Sequence, residues 1–236
     1  MQKQLIECVP NISEGRDLDK INTIAHSVEQ IEGVKLLDID PGKATNRTVI
    51  TFVGTPDKVI DAAFILIKKA SELIDMSKHT GAHPRFGATD VCPLVPIAGI
   101  SLEETAKYAQ KLGARVGKEL DIPVYLYEKA AQEEKRQNLA NCRSGEYEGL
   151  KEKLTNPVWQ PDFGPAEFND RVKGTGATAI SARDFLIAYN VNLNTTSVRR
   201  ANAVAFDIRE AGRVKRIGNP ITGKKALDKD GNPIRI

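Results

Sequence analysis

Val34-Lys-Leu-Leu-Asp-Ile-Asp-Pro-Gly-Lys-Ala-Thr-Asn-Arg-Thr-Val-Ile-Thr-Phe-Val-Gly-Thr-Pro-Asp57 reads as two strands, a turn and the start of a helix. Val34–Asp40 and Arg47–Val53 carry the apolar strand residues, and Pro41–Asn46 is rich in turn formers. So short a connection predicts an antiparallel pair. Thr55 is the expected N-cap, Pro56 the first helical residue and Asp57 a first-turn acid. The helix that follows shows an apolar face at Val59, Ile60, Ala63, Ile67 and Ile74.

Upstream, Gln4–Val9 reads as a strand, Pro10–Gly15 as a turn and Asp17–Ile31 as a helix stopped by Gly33. Downstream, Val91–Ile97 is a short apolar strand. Ser101 and Glu104 form a capping box for a helix to Leu120, and Pro123–Tyr127 is a further strand. The order through Ile97 is strand, helix, strand, strand, helix, strand. That order predicts an α+β fold, a ferredoxin-like split βαβ sheet with helices on one face.

Lys129–Leu154 is strongly charged and is expected to be a solvated helical face in two pieces. Thr155–Gly176 is either a linker or a binding loop. Strand character resumes over Ala177–Leu193, clearest at Phe185–Leu193, and a helix begins at Thr196 or Ser197 and ends at Gly212. These read as the start of a second, similar subdomain, and nothing after Arg213 supplies its missing half. The expected division is therefore 1–176 and 177–236, with uncovered apolar surface around Phe185–Leu193 and the Val198–Ile208 helix as an association site, and a homodimer as the expected assembly.

The 236 residues, 41% hydrophobic and 28% charged with a net charge of +3, describe an ordinary globular protein. No dense basic run is interleaved with aromatics, so nucleic acid is not an expected partner. A mild positive bias suits a small anionic substrate. No apolar run has signal-peptide or transmembrane length, so no membrane is expected. Three isolated cysteines, Cys8, Cys92 and Cys142, favour a reducing compartment with free or buried thiols, by default the cytoplasm.

Two of the three histidines, His79 and His83, fall in a loop that also holds Lys78, Arg85 and Asp90. Their spacing would suit zinc on a helix, but Gly81 and Pro84 interrupt one, and neither a third histidine nor a cysteine pair lies near. No metal is expected. Pro84 biases His83 towards extended backbone, from which an imidazole can act as acid and base near neutral pH. Two exposed loop histidines without a role are the alternative. Asp38 and Asp40 share a strand face near Asn46 and Arg47, either as part of a site or as a polar turn with a surface ion pair. Trp159-Gln-Pro-Asp-Phe-Gly-Pro165 is either an aromatic-lined loop for a flat heterocycle or a loop anchored by its tryptophan.

Several blocks resemble the glutamate formimidoyltransferase family, the formiminotransferase part of formiminotransferase–cyclodeaminase. They are Glu7-Cys-Val-Pro-Asn-Ile-Ser-Glu-Gly15, Thr45-Asn-Arg-Thr-Val49, Asp75-Met-Ser-Lys-His79, His83-Pro-Arg-Phe-Gly-Ala-Thr-Asp-Val-Cys-Pro93, Val124-Tyr-Leu-Tyr127, Asp162-Phe-Gly-Pro165 and Gly176-Ala-Thr-Ala179. The resemblance implies transfer of a formimino group from N-formimino-L-glutamate to N5 of tetrahydrofolate, the co-substrate, in histidine degradation. It implies two subdomains with folate, which can be polyglutamylated, between them. His83 matches the catalytic histidine, while Asp40 and Arg47 fall among polar active-site residues. The stretch Gly164-Pro165-Ala166-Glu167-Phe168-Asn169-Asp170-Arg171-Val172-Lys173-Gly174-Thr175-Gly176 corresponds to the folate-binding loop. Arg47, with Lys78 or Arg85, is the expected binder of substrate carboxylates. Family members continue past the polar stretch that begins near Arg213. The alternatives are a folate-binding relative without turnover and a small acyl-phosphate hydrolase.

Overall fold

The alternation along Arg47–Gly54 (β4) sets the sheet. Thr48, Ile50 and Phe52 are fully buried on one face, whereas Arg47, Val49, Thr51 and Val53 are half-buried on the other. Each large side chain withdrawn from water in this way contributes roughly 1.5–3 kcal/mol. In a computed structural model, residues 3–187, 191, 193–208, 212–218, 223–229 and 233–235 are described. The chain divides into two compact units, Met1–Phe185 and Leu186–Ile236.

In the first unit, Leu5–Cys8 (β1) and Asn11–Ile12 (β2) run end to end between β4 and Thr89–Ala98 (β5), antiparallel to both. Lys35–Gly42 (β3) pairs antiparallel with β4 as the outer strand, in the register Asp40 to Val49 and Gly42 to Arg47. Beyond β5 lies Thr178–Ala182 (β7), parallel to it, and then Val124–Glu128 (β6), parallel to β7. The spatial order is β3, β4, β1 with β2, β5, β7, β6. The architecture is α+β around a mixed sheet.

Three helices, Leu18–His26 (α1), Pro56–Leu73 (α2) and Leu102–Leu120 (α3), bury their apolar faces in one core with Ile6, Ile50, Phe52, Leu94, Leu126 and Ile180 of the strands. Ser101 caps α3, and both halves of its capping box with Glu104 are present.

Helices do not lie on one face alone. In β6, Val124 and Leu126 face the first core, whereas Tyr125 and Tyr127 face a second one with Phe86, Val91, Cys142, Leu150, Leu154 and Val172. The second layer comes from Lys129–Leu154, expected to be solvated. That segment forms a 3-10 turn at Glu134–Arg136 and two short α-helices, Leu139–Cys142 (α4) and Leu150–Thr155 (α5). Its sparse apolar residues are spaced for one-sided contact with the tyrosines rather than for a continuous helix. The outer face of β3, β4 and β1 is left uncovered by this layer.

The division expected at Gly176 falls short of the boundary. Strand β7, assigned to a second subdomain, completes the first sheet because it alone joins β5 to β6. Of the strand expected over Phe185–Leu193, Phe185, Leu186 and Ile187 are exposed and not in a strand, and residues 188–190 and 192 lie outside the described residues. The second unit contains the helix Val198–Ile208 (α7), none of whose residues is buried, and the two-residue strands Arg216–Ile217 (β8) and Lys224–Lys225 (β9), paired antiparallel. Residues 209–211, at the expected end of α7, lie outside the described residues. Among the described residues no helix is long and apolar enough to cross a membrane.

Candidate active site

The β3–β4 turn and the loop after α2 are clamped together. Asn46 is buried in the left-handed region at φ 51°. Its Oδ1 accepts from the Gly15 amide at 3.0 Å and its Nδ2 donates to the Thr80 carbonyl at 2.9 Å. His79 Nε2 donates to the Asn46 carbonyl at 2.9 Å. Burial holds the His79 imidazole below its ordinary pKa, and its buried Nδ1 has no partner. His79 therefore works as a neutral clasp. A Cβ on Gly81 would stand 2.3 Å from the Thr45 carbonyl oxygen, so the loop cannot lie this close with any other residue there. Gly81→Ala is expected to cost roughly 1–3 kcal/mol as an overpacked contact. Urea unfolding measures it, and an unchanged midpoint would show that the clamp is loose.

The clamp presents His83. Its Nδ1 donates to the Pro84 carbonyl at 2.6 Å, which fixes the tautomer and leaves Nε2 with a lone pair. Burial lowers the pKa of the imidazole, and the Arg47 and Arg143 guanidinium groups lower it further, against opposing effects of Pro84 and Asp90. Such a ring is neutral at pH 7 and ready to accept a proton.

Asp90 lies at the centre of this cluster and is fully buried. The pairs Asn11 with Val91 and Ile12 with Thr89 leave Asp90 as the extra residue of a bulge in β5, a device that re-aims a side chain. Arg47 Nη1 donates to Asp90 Oδ2, and Arg47 Nε donates to Asn11 Oδ1 at 3.0 Å. Arg143 Nη1 lies 3.5 Å from the same Asp90 oxygen. Arg143 Nη2 donates at 2.9 Å to the Pro84 carbonyl that also holds His83. Sequence reasoning noted Asp90 only as a neighbour in the loop and passed over Arg143. The bulge leaves no mark in the residue pattern, and Arg143 sits in a charged stretch that reads as a solvated face.

The remaining sequence candidates are distributed around this cluster. Asp40 is exposed on β3 and has no hydrogen-bond or ion-pair partner among the described residues. It shares the outer sheet face with Arg47, diagonally across the β3–β4 ladder, but Arg47 turns to Asp90 instead. Lys78 pairs with Asp75 at 3.0 Å and Arg85 with Glu148 at 2.6 Å, so neither is directed at His83 by its ion pair. Trp159 anchors its loop. Its carbonyl accepts from the Tyr125 hydroxyl at 2.8 Å, and Lys153 Nζ lies 4.7 Å from its ring centre.

Gly164–Gly176 splits into three parts. Gly164, at φ 84°, packs where a Cβ would stand 2.2 Å from the Ile122 carbonyl oxygen. Gly164, Ala166 and Glu167 are exposed and Pro165 and Phe168 half-exposed, leaving this part open to a ligand. Asn169 caps the helix Asp170–Thr175 (α6), accepting from the Val172 amide at 2.9 Å. Arg171 is spent inward on the Leu120 carbonyl and Ser71 Oγ. The Lys173 carbonyl accepts from the Tyr147 hydroxyl at 2.6 Å. The last part docks on the His83 loop: Met76 N–H donates to the Gly174 carbonyl at 2.8 Å and Ala88 N–H to the Thr175 carbonyl at 2.7 Å. Gly176 forms a bridge with Gly87. Among the described residues no three of His, Cys, Asp and Glu gather as metal ligands.

Residues 5–183 match the formiminotransferase domain, N-terminal subdomain. The chain is 49% identical over 210 residues to the formimidoyltransferase-cyclodeaminase of Dictyostelium discoideum, covering 89% of this chain and 38% of that protein. It is 51% identical over 212 residues to the mouse (Mus musculus) protein of the same name, covering 90% of this chain and 38% of that protein. It is 50% identical over 207 residues to the glutamate formimidoyltransferase of Thermoplasma acidophilum, covering 87% of this chain and 67% of that protein. The chain thus spans 38% of the length of the bifunctional relatives. Since the matched residues 5–183 hold both the sheet and the His83 cluster, the chain belongs to the formiminotransferase family through its N-terminal subdomain.

Proposed function

We propose that this chain serves a glutamate formimidoyltransferase, moving the formimino group of N-formimino-L-glutamate to N5 of tetrahydrofolate during histidine degradation. The observation that carries the reading is His83, held neutral with Nε2 open beside a two-arginine, one-aspartate cluster. N5 of tetrahydrofolate attacks the amidinium carbon of the donor and forms a C–N bond. His83 takes the proton that N5 loses and returns it to the glutamate nitrogen as the old C–N bond breaks. The products are 5-formimino-tetrahydrofolate and glutamate. Arg47 offers N–H donors to a substrate carboxylate, and Asp40 on the open sheet face is positioned for the cationic amidinium. The exposed turn Gly164–Phe168 supports a folate-binding role for Gly164–Gly176.

The placement of β1 between β4 and β5, with β3 outermost, supports reading β1 with β2, β3, β4 and β5 as a ferredoxin-like split βαβ unit. Three free buried thiols support a reducing, cytoplasmic setting. Formation of 5-formimino-tetrahydrofolate by the protein carrying this chain tests the reading, and no product with both substrates at saturation rejects it. The pH profile adds a sign. Because the His83 pKa is lowered and the base must be neutral, kcat/KM is expected to rise with pH to a plateau, with its acid-limb midpoint below about 6.5. A midpoint above that value contradicts the assignment of His83 as base.

A further inference from the structure

Two guanidinium groups converge on one buried carboxylate at the His83 site. Arg47 and Arg143 bring two positive charges to the single negative charge of Asp90, so one positive charge is left uncompensated. Both arginine side chains keep a small opening to solvent, at 11% and 13% exposure. A guanidinium has five N–H donors. Among the described residues, Nη2 of Arg47 and Nε of Arg143 make no hydrogen bond. Unspent donors and a net positive charge next to an open imidazole nitrogen suit a carboxylate.

The chain also spends a buried lysine on holding Arg143 there. Lys153, 8% exposed, donates to the carbonyls of Asn141 at 3.1 Å and Ser144 at 3.0 Å, which bracket Arg143. The ring of Trp159 closes over the same ammonium at 4.7 Å. The turn after α4 is thus fixed from beneath, and Arg143 projects from it to the Pro84 carbonyl and Asp90.

We propose that Arg143, rather than Lys78 or Arg85, is the second carboxylate-binding residue of the His83 site, paired with Arg47 and set in place by Lys153. This rests on the reading of His83 as the base of a formimino transfer. Arg143 then fixes which donor is accepted, selecting the two-carboxylate glutamate skeleton, and it does not touch the transferred group.

In the protein carrying this chain, Arg143→Gln and Arg143→Lys are expected to raise KM for N-formimino-L-glutamate about 30-fold, the worth of one charged hydrogen-bond contact. The KM for tetrahydrofolate should stay within about two-fold. Arg143→Lys keeps the charge beside Asp90, so it tests the planar fork even if the glutamine variant fails to fold. The second readout is the His83 ring followed by NMR, with L-glutamate as probe. The charged groups acting on that ring are Arg47, Arg143 and Asp90, so the glutamine variant should raise the His83 titration midpoint. L-Glutamate should shift the ring signals in the parent and fail to do so in either variant. Unchanged donor KM in both variants, or glutamate shifts that survive them, overturns the proposal while leaving the transferase reading intact. A parent without transfer whose glutamate shifts still depend on Arg143 rejects the transferase reading and retains the carboxylate site.

Discussion

Replacing His83 by alanine is expected to lower the rate of formimino transfer by about 10²- to 10⁴-fold, the range for a lost acid–base group. The thermal midpoint should hardly move. The imidazole lies in a loop and, among the described residues, its only hydrogen bond is to the adjacent Pro84 carbonyl, so its loss leaves no core cavity. The effect belongs in kcat, because the proton is handled in the transition state rather than in substrate binding. Single-turnover measurement with both substrates saturating separates the two. A variant within a few-fold of the parent, at an unchanged melting temperature, would remove His83 from the mechanism.

Asp90 is expected to show the opposite balance. Among the described residues its carboxylate is the only acidic partner of Arg47 and Arg143, and it is fully buried. Asp90→Asn preserves the shape and removes the charge, leaving two guanidinium groups crowded without a counter-ion. Breaking a buried pair in this way costs about 3–5 kcal/mol, a large part of a marginal folding free energy of roughly 5–15 kcal/mol. Urea unfolding should register that loss along with lost activity. Asp40→Ala is the control. Asp40 is exposed and unpartnered among the described residues, so its loss should change stability by no more than about 0.5 kcal/mol, and any effect on turnover would be chemical. Equal stability of the Asp90→Asn variant and the parent would mean that the arginines do not depend on Asp90.

The two aspartates also show where reading the sequence succeeds and fails. The β3–β4 pair, the start of α2 at Pro56 and the capping box of α3 were all legible, because each is decided by residues a few positions apart. Local hydrogen bonds and alternation carry that information. The strand pattern places Asp40 on one face with Asp38, and the family resemblance singles out Asp40 of the two. Asp90 was not, because its direction depends on a bulge between β2 and β5 that only the paired strands define. Arg143 was invisible for a related reason: it reaches the site only because Tyr125 and Tyr127 draw the Lys129–Leu154 segment across the sheet. That segment reads as a solvated face because its buried residues are few and widely spaced. The placement of β7 was lost with it, since a parallel strand arriving after a long excursion carries no local sign of its neighbours.

The position of β7 has a consequence for synthesis on the ribosome. Along the described chain, β6 pairs as a strand only with β7, and β7 is the last strand of the sheet to be made. Until Thr178–Ala182 leaves the exit tunnel, β5 offers an open ladder edge and β6 waits without a neighbour strand. The helices on one side and the layer on the other can collapse early, but register across the centre is set only at the end. Such late, long-range closure slows folding and prolongs the time during which an exposed edge can recruit another nascent chain. A clamp on the site that depends on Gly87 meeting Gly176 therefore forms among the last contacts of the unit.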